Sequence, residues 1–227
     1  HPESLQAEVR RVGADLGIAL DGDGDRCLLV DERGQLLDGD ALLAILARHA
    51  APRWSDRRIV ATVMSNKGLQ RALREVGVSI VTVGVGDRYV VEALERERLP
   101  LGGEQSGHIV FGADNYMIGD GLYTALRVLR VLRESKRPLS ALAAAFRSFP
   151  QVLVNVRVRA KPALDELPKV AELVRRIEAE FGDDGRVLLR YSGTEPLARV
   201  MVEGPDMATI QAHAQALAGL IAAEIGA

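Results

Sequence analysis

The sequence predicts an α/β chain built from differently organised parts: a βαβ region around a parallel sheet, a piece of another α/β unit before it, and a C-terminal α+β module. Three observations carry this. Between residues 59 and 134, short buried-type apolar runs alternate with longer stretches of helical periodicity. Around Ser148-Phe149-Pro150 the pattern changes, and Val152, Val154, Val156 and Val158 then alternate with polar residues, as in a half-exposed strand. Finally, 227 residues at 48% hydrophobic composition supply apolar material for more than the ~100–150 residues of one typical domain.

Taken in order, Glu3 to Val12 reads as a helix with Leu5, Val9 and Val12 on one face, closed by Gly13. Leu16–Leu20 and Cys27–Val30 read as strands separated by the polar run 21–26. Asp31-Glu32-Arg33-Gly34 is a turn, and Asp40 is expected to cap a helix reaching about His49. A strand over 59–63, a helix over 67–76, a strand over 79–83 and a helix over 87–96 follow. Residues 101–110 contain a Gly-rich loop running into a strand, 121–134 a long helix, and 140–146 a closing segment. Beyond the valine strand come a helix over 165–181, a strand over 186–191, a strand over 198–203 and a terminal helix from about Asp206.

Composition excludes several classes. Twenty-nine basic against thirty-one acidic residues, spread rather than clustered, argue against a general nucleic-acid binder. No apolar run approaches the ~20 residues of a membrane span. The single Cys27 cannot form an internal disulfide, which fits a reducing compartment and makes the cytoplasm the default expectation. The chain begins with His1-Pro2 rather than Met, which suggests a piece of something longer.

Three loops carry chemistry. Asp21, Asp23 and Asp25 stand at alternate positions with Gly22 and Gly24 between them. Three carboxylates held together repel unless a cation neutralises them, and oxygen-only ligands select a hard ion such as Mg²⁺. An EF-hand fails because Arg26 stands where its turn glycine belongs and the flanks read as strands. A haloacid-dehalogenase-type phosphatase lacks its further Thr/Ser and Lys signals here. Arg26 suits an anionic substrate brought to the metal. In Gly102-Gly103-Glu104-Gln105-Ser106-Gly107-His108, glycines allow close approach while Glu104 and Ser106 suit sugar hydroxyls and His108 can carry a proton. Arg190-Tyr191-Ser192-Gly193-Thr194-Glu195-Pro196, with Arg199 beyond, offers hydroxyls, free backbone N–H groups and guanidinium groups, the parts of a phosphate cradle. His49 and His213 lie in helical patterns and read as structural.

In this order and spacing, the three loops resemble the metal, sugar and phosphate loops of the α-D-phosphohexomutase superfamily, and the similarity runs along the whole chain, including Val63-Met-Ser-Asn66 and Val85-Gly-Asp-Arg-Tyr-Val90. Gln105 and Gly193-Thr-Glu-Pro196 resemble its bacterial phosphoglucosamine mutase branch. The phosphomannomutase/phosphoglucomutase branch typically shows Met at the first place and an Asn-Thr-containing phosphate loop.

The resemblance implies that residues 1–38 end a second domain and carry the metal loop. Residues 39–149 would form a third α/β domain with the sugar loop, and 150–227 a C-terminal phosphate-binding α+β domain of the TATA-box-binding-protein-like type. It implies interconversion of glucosamine 6-phosphate and glucosamine 1-phosphate through a phosphoserine and a bisphosphate, on the route to UDP-N-acetylglucosamine. Asp21, Asp23 and Asp25 would hold Mg²⁺ and Arg26 would steady the moving phosphoryl group. Glu104 and Ser106 would hold sugar hydroxyls, Arg88 and His108 would line the cleft with Asp87 near them, and Arg190, Ser192, Gly193, Thr194 and Arg199 would grip the other phosphate.

The family's phosphoserine loop, reading like Thr/Ala-Ser-His-Asn, is not in this chain: none of its four His follows a Ser. The fragment is therefore expected to lack the N-terminal domain and to be inactive alone. Gly24 and Tyr191 depart from the Ala and Pro common in the family. Exposed apolar strand edges predict either pairing with the missing N-terminal part or self-association, a homodimer in the simplest case. Two alternatives stand beside this reading: a phosphomannomutase or phosphoglucomutase, and a non-catalytic module that binds hexosamine phosphates.

Overall fold

The computed structural model describes residues 2–112 and 116–227. The chain forms two compact units, His1–Arg147 and Ser148–Ala227.

In the first unit, helix α1 (Glu3–Val12) ends at Gly13, whose φ of 66° is the left-handed conformation that glycine reaches most easily. Strands β1 (Leu16–Leu20), β2 (Cys27–Asp31) and β3 (Leu36–Leu37) form an antiparallel sheet in that order. Helix α2 (Gly39–Ala50) follows, and here one expectation is corrected: its cap is Asp38, not Asp40. Asp38 has extended backbone and its carboxylate accepts the Ala41 N–H at 3.1 Å, whereas Asp40 already lies inside the helix. The Asp40 carboxylate is buried and accepts the Asn66 N–H at 2.7 Å.

Next come β4 (Arg58–Thr62), α3 (Lys67–Arg74), β5 (Ser79–Val83), α4 (Asp87–Glu97), β6 (Leu101–Gly103), β7 (Ile109–Phe111), α5 (Gly121–Ser135) and α6 (Leu139–Ala143). The sheet order is β5-β4-β6-β7, with β4 parallel to both β5 and β6. The expected parallel sheet is thus mixed at one edge, because β7 runs antiparallel to β6. The linker from Gly103 to Ile109 is a tight turn, far short of the dozen or so residues a parallel return needs. Neighbouring residues of β4 feed opposite faces: Ile59 and Ala61 join a core with Leu42, Leu43, Leu69 and Val128, while Val60 joins Val90, Leu94 and Val110 against α4. Helix α2 is buried along nearly all its length because β3, β6, α3, α5 and α6 surround it.

The second unit contains β8 (Gln151–Arg157), α7 (Pro168–Phe181), β9 (Arg186–Tyr191), β10 (Leu197–Glu203) and α8 (Met207–Ile225). Its sheet is antiparallel in the order β8-β10-β9. The valine alternation does what its period demands: Val156 and Val158 enter a core with Val200, Val202, Ile177 and Leu217, while Leu153 is left exposed. The helix expected from Asp165 starts later. Pro168 disfavours helical backbone at Leu167 (ψ 104°), so Leu164–Glu166 forms a separate 3-10 turn and Pro168 takes the first helical position. At the sheet's other end, the buried Glu203 receives Arg186 at 2.9 Å and the Gln151 amide at 3.0 Å, joining all three strands. Among the described residues, no helix is long and apolar enough to cross a membrane.

Candidate functional site

In the first unit the acidic loop joins β1 to β2. Asp21 accepts the Arg26 N–H at 3.2 Å, and the Arg26 guanidinium stands 3.6 Å from the same carboxylate. The Gly24 carbonyl accepts the Gly121 N–H at 2.9 Å, which fastens the loop to the start of α5. Asp25 Oδ2 pairs with His108 Nδ1 at 3.0 Å, while Asp25 Oδ1 is buried without a hydrogen-bond partner. Burial pushes the Asp25 carboxyl up, but the hydrogen bonds from His108 and Asp21, with the charge of His108, hold it below the ordinary value.

Asp21 and Asp25 thus approach each other, but among the described residues no group of three or more His, Cys, Asp or Glu side chains is gathered as a metal site. The donors nonetheless fit a hard cation. All are carboxylate oxygens, one of them is the orphaned buried Oδ1, and nothing lies within 4 Å of a Cβ built on Gly22 or Gly24.

The sugar-type loop is the turn between β6 and β7, closed by Glu104 N–H to the His108 carbonyl (2.9 Å) and Gly107 N–H to the Glu104 carbonyl (3.0 Å). It is bound into its neighbours through backbone. Gly39 N–H donates to the Gln105 carbonyl and Cys27 N–H to the Gly107 carbonyl, each at 3.0 Å. Both contacts require glycine: a Cβ on Gly39 would meet the Glu104 carbonyl oxygen at 2.0 Å, and one on Gly107 would meet the Cys27 carbonyl oxygen at 2.4 Å. The acidic and Gly-rich loops thus form one backbone-linked assembly, with Arg26 and His108 bridged across it. Asp21, Arg26 and Ser106 line one cavity of about 600 Å³, flanked by Leu20 and Leu28. Glu104 also accepts the Gly86 N–H at 3.0 Å, tying the loop to the start of α4.

Neither Arg88 nor His108 lines that cavity. Arg88 is exposed on α4 and paired with Glu92 at 2.6 Å, while Asp87 turns back to accept the Arg88 N–H. His108 is 7% exposed, so its placement makes it the partner of Asp25 and leaves little of its ring open.

In the second unit, the phosphate-type loop joins β9 to β10. Arg190 and Arg199 are cross-strand partners, so two guanidinium stems rise side by side from the same face. Like charges so placed repel, and an anion between them removes the repulsion. Ser192 is buried; its hydroxyl accepts the Glu195 N–H at 3.3 Å and faces Arg199 Nη2 at 3.4 Å, and Arg199 Nε is buried without a partner. Gly193 and Thr194 are exposed at the loop tip.

The sequence reading missed Lys161, whose ammonium donates to the Ser192 carbonyl at 2.7 Å and lies 6.0 Å from the Tyr191 ring. It sits thirty residues before the loop, and only the pairing of β8 with β10 brings it there. Tyr191 acts as a brace: its hydroxyl donates to the Pro162 carbonyl at 2.7 Å.

Residues 38–149 match the family described as phosphoglucomutase/phosphomannomutase, alpha/beta/alpha domain III, and residues 153–220 match its C-terminal domain. Proteins named phosphoglucosamine mutase are similar over nearly the whole chain: 48% identical in Desulfovibrio desulfuricans, 51% in Anaeromyxobacter dehalogenans and 52% in Frankia alni. The chain spans about half the length of these curated relatives. Among solved structures, a phosphoglucomutase/phosphomannomutase family protein from Burkholderia thailandensis superposes with a TM-score of 0.77 at 27% identity, over 98% of this chain and 50% of that one. An Aspergillus fumigatus N-acetylphosphoglucosamine mutase, described in complex with GlcNAc-6P and magnesium, superposes at 0.70 and 23% identity, over 90% of this chain and 48% of that one. The fold, the two matched domains and these likenesses together make the chain a member of the phosphohexomutase family, carrying its third and C-terminal domains.

Proposed function

We propose that this chain is the metal-, sugar- and phosphate-binding half of a phosphoglucosamine mutase, which interconverts glucosamine 6-phosphate and glucosamine 1-phosphate in the supply of UDP-N-acetylglucosamine. The observation that carries the reading is the ordered set of three loops, in a chain about half identical along its length to proteins of that name. Residues 1–38 would end the second domain, 39–149 form the third and 150–227 the fourth.

Asp21, Asp23 and Asp25 would hold Mg²⁺, which when bound supplies positive charge against a phosphoryl group in transfer. Arg26, on the same cavity wall as Ser106, neutralises the moving group. Ser106 and Glu104 bond the sugar hydroxyls, and a carboxylate fixed by the Gly86 N–H can accept from either face of the sugar. His108 keeps Asp25 oriented and ionised, and Arg88 completes the rim once it leaves Glu92. Arg190, Arg199, Ser192, Gly193 and Thr194 clamp the non-reacting phosphate. A substrate that must react from both ends needs such a division between one fixed clamp and one fixed reaction centre. The phosphoryl carrier, a phosphoserine, would belong to the N-terminal portion, so this chain binds substrate without turning it over.

A ³¹P NMR time course of glucosamine 6-phosphate with the chain, Mg²⁺ and a trace of glucosamine 1,6-bisphosphate tests this. Reversible broadening of the substrate line, with no 1-phosphate signal until the N-terminal portion is added, is expected. Turnover by the chain alone refutes the assigned carrier. Tighter binding of glucose or mannose phosphates than of glucosamine 6-phosphate moves the assignment to the phosphoglucomutase/phosphomannomutase branch.

A further inference from the structure

Away from these loops, the first unit holds a cavity of about 270 Å³ between the C-terminal half of α2, the 3-10 turn Ala51–Arg53, the β6–β7 edge and α5. Its floor is apolar, formed by Leu46, Leu101 and Val131. Two flat aromatic surfaces border it: Trp54, and Phe111 with the Arg127 guanidinium 4.6 Å above its ring.

The rim is cationic. Among the described lining residues there are three arginines, Arg53, Arg127 and Arg130, and one carboxylate, Glu134. That carboxylate is already committed. Arg130 Nε donates to it at 2.7 Å and His49 Nε2 lies at 2.7 Å on its other oxygen, and these two bonds hold its carboxyl down at about 2. Arg53 is held only loosely, 3.8 Å from Glu134 and 3.5 Å from the His49 carbonyl, with its side chain 67% exposed. A guanidinium presents five donors in a planar fork, so one bond to Glu134 leaves Arg130 able to receive a second anion. An apolar floor, aromatic walls and a fixed fork at the mouth are the parts of a small-molecule site.

We propose that this cavity is a second binding site, separate from the three loops, for a small organic anion with a flat unsaturated body, an aryl phosphate being the simplest member of the class. The body lies against Trp54 and the Phe111–Arg127 pair, and the phosphate meets Arg53 and Arg130.

The chain's single tryptophan lies in this wall, so the cavity carries its own reporter. The experiment is a titration of the 227-residue chain with phenyl phosphate, read by Trp54 fluorescence and by its one indole N–H resonance in a ¹H–¹⁵N spectrum. A saturable change with Kd between roughly 10 μM and 1 mM is expected, the range open to a ligand of about ten heavy atoms. Arg53→Ala and Arg130→Ala, both at exposed guanidiniums, are each expected to weaken it about tenfold with the fold intact by circular dichroism. Phenol and inorganic phosphate serve as the two halves of the ligand. Equal response to phenol removes the anion from the proposal, and equal response to inorganic phosphate removes the aromatic body. No saturable change up to about 10 mM phenyl phosphate overturns the site altogether. Glucosamine 6-phosphate is the remaining control: if it moves the indole signal in competition with phenyl phosphate, the cavity belongs to the substrate and the second site falls, whereas the proposed function does not.

Discussion

Replacing Gly107 by Ala tests whether the acidic and Gly-rich loops are held together by close backbone approach. Gly107 has φ +95°, and its added Cβ would lie 2.4 Å from the Cys27 carbonyl oxygen, 3.0 Å from its carbon and 3.2 Å from its nitrogen. Every one of these atoms is backbone, so no side chain can swing aside. Restoring ordinary contact pushes β2 back by about 1 Å, which breaks the 3.0 Å bond from Cys27 N–H to the Gly107 carbonyl. Leaving those buried groups unpaired costs ~1–3 kcal/mol, and the unfavourable φ adds ~1–2 kcal/mol. The lower entropy of the unfolded alanine chain returns ~0.4–1 kcal/mol. The net expectation is a loss of about 3 kcal/mol. Gly13→Ala is the matched control, since Gly13 also has positive φ (66°) but nothing lies within 4 Å of its added Cβ. Its cost is expected at about 1 kcal/mol. Urea unfolding followed by the fluorescence of Trp54 reports the first unit without assuming that both units unfold together. If the two variants cost the same within about 0.5 kcal/mol, backbone proximity is not what joins the loops, and the reasoning fails.

Arg190→Ala is expected to weaken binding of glucosamine 6-phosphate about tenfold by calorimetry while leaving the melting temperature unchanged or slightly raised, because it removes a cross-strand like-charge pair; a clear fall in stability would contradict the cradle. Glu203→Gln removes a fully buried carboxylate that receives Arg186 at 2.9 Å and the Gln151 amide at 3.0 Å and should cost ~3 kcal/mol, checked by calorimetric unfolding. Glu32 titrates low: burial raises its carboxyl, but the Ser140 hydroxyl and backbone N–H, with Arg33, bring it below the ordinary value. Its stabilising contribution is present above the unfolded carboxylate value and lost as pH falls through the folded one. Ser140→Ala should therefore destabilise by ~1 kcal/mol at neutral pH, and the difference should shrink on acidification in parallel urea titrations. Burial pushes the Cys27 thiol up to about 11, so alkylation at about pH 8 should be negligible in the native chain and rapid in urea.

Local signals in the sequence determined much of this protein. The 3.6-residue and two-residue periods located the helices and strands, since an amphipathic face is written in the order of residues alone. Gly13 and the valines of β8 behaved as their intrinsic preferences require. The three loops were legible because their chemistry is concentrated in contiguous residues. What the sequence left open depended on partners distant along the chain. Asp40 and Asp38 are both competent caps, and only the packing of α2 against the turn before α3 turned Asp40 inward to Asn66. The direction of β7 followed from how Gly103 and Ile109 pair. His108 became the partner of Asp25, Arg190 the neighbour of Arg199, and Lys161 a neighbour of Ser192 through sheet register. The cavity beside Trp54 draws on residues from 46 to 134, which no single stretch of sequence displays. Contacts between residues so far apart cost loop entropy that only the collective burial of the core repays, so they exist in the folded chain and have no local signature to read.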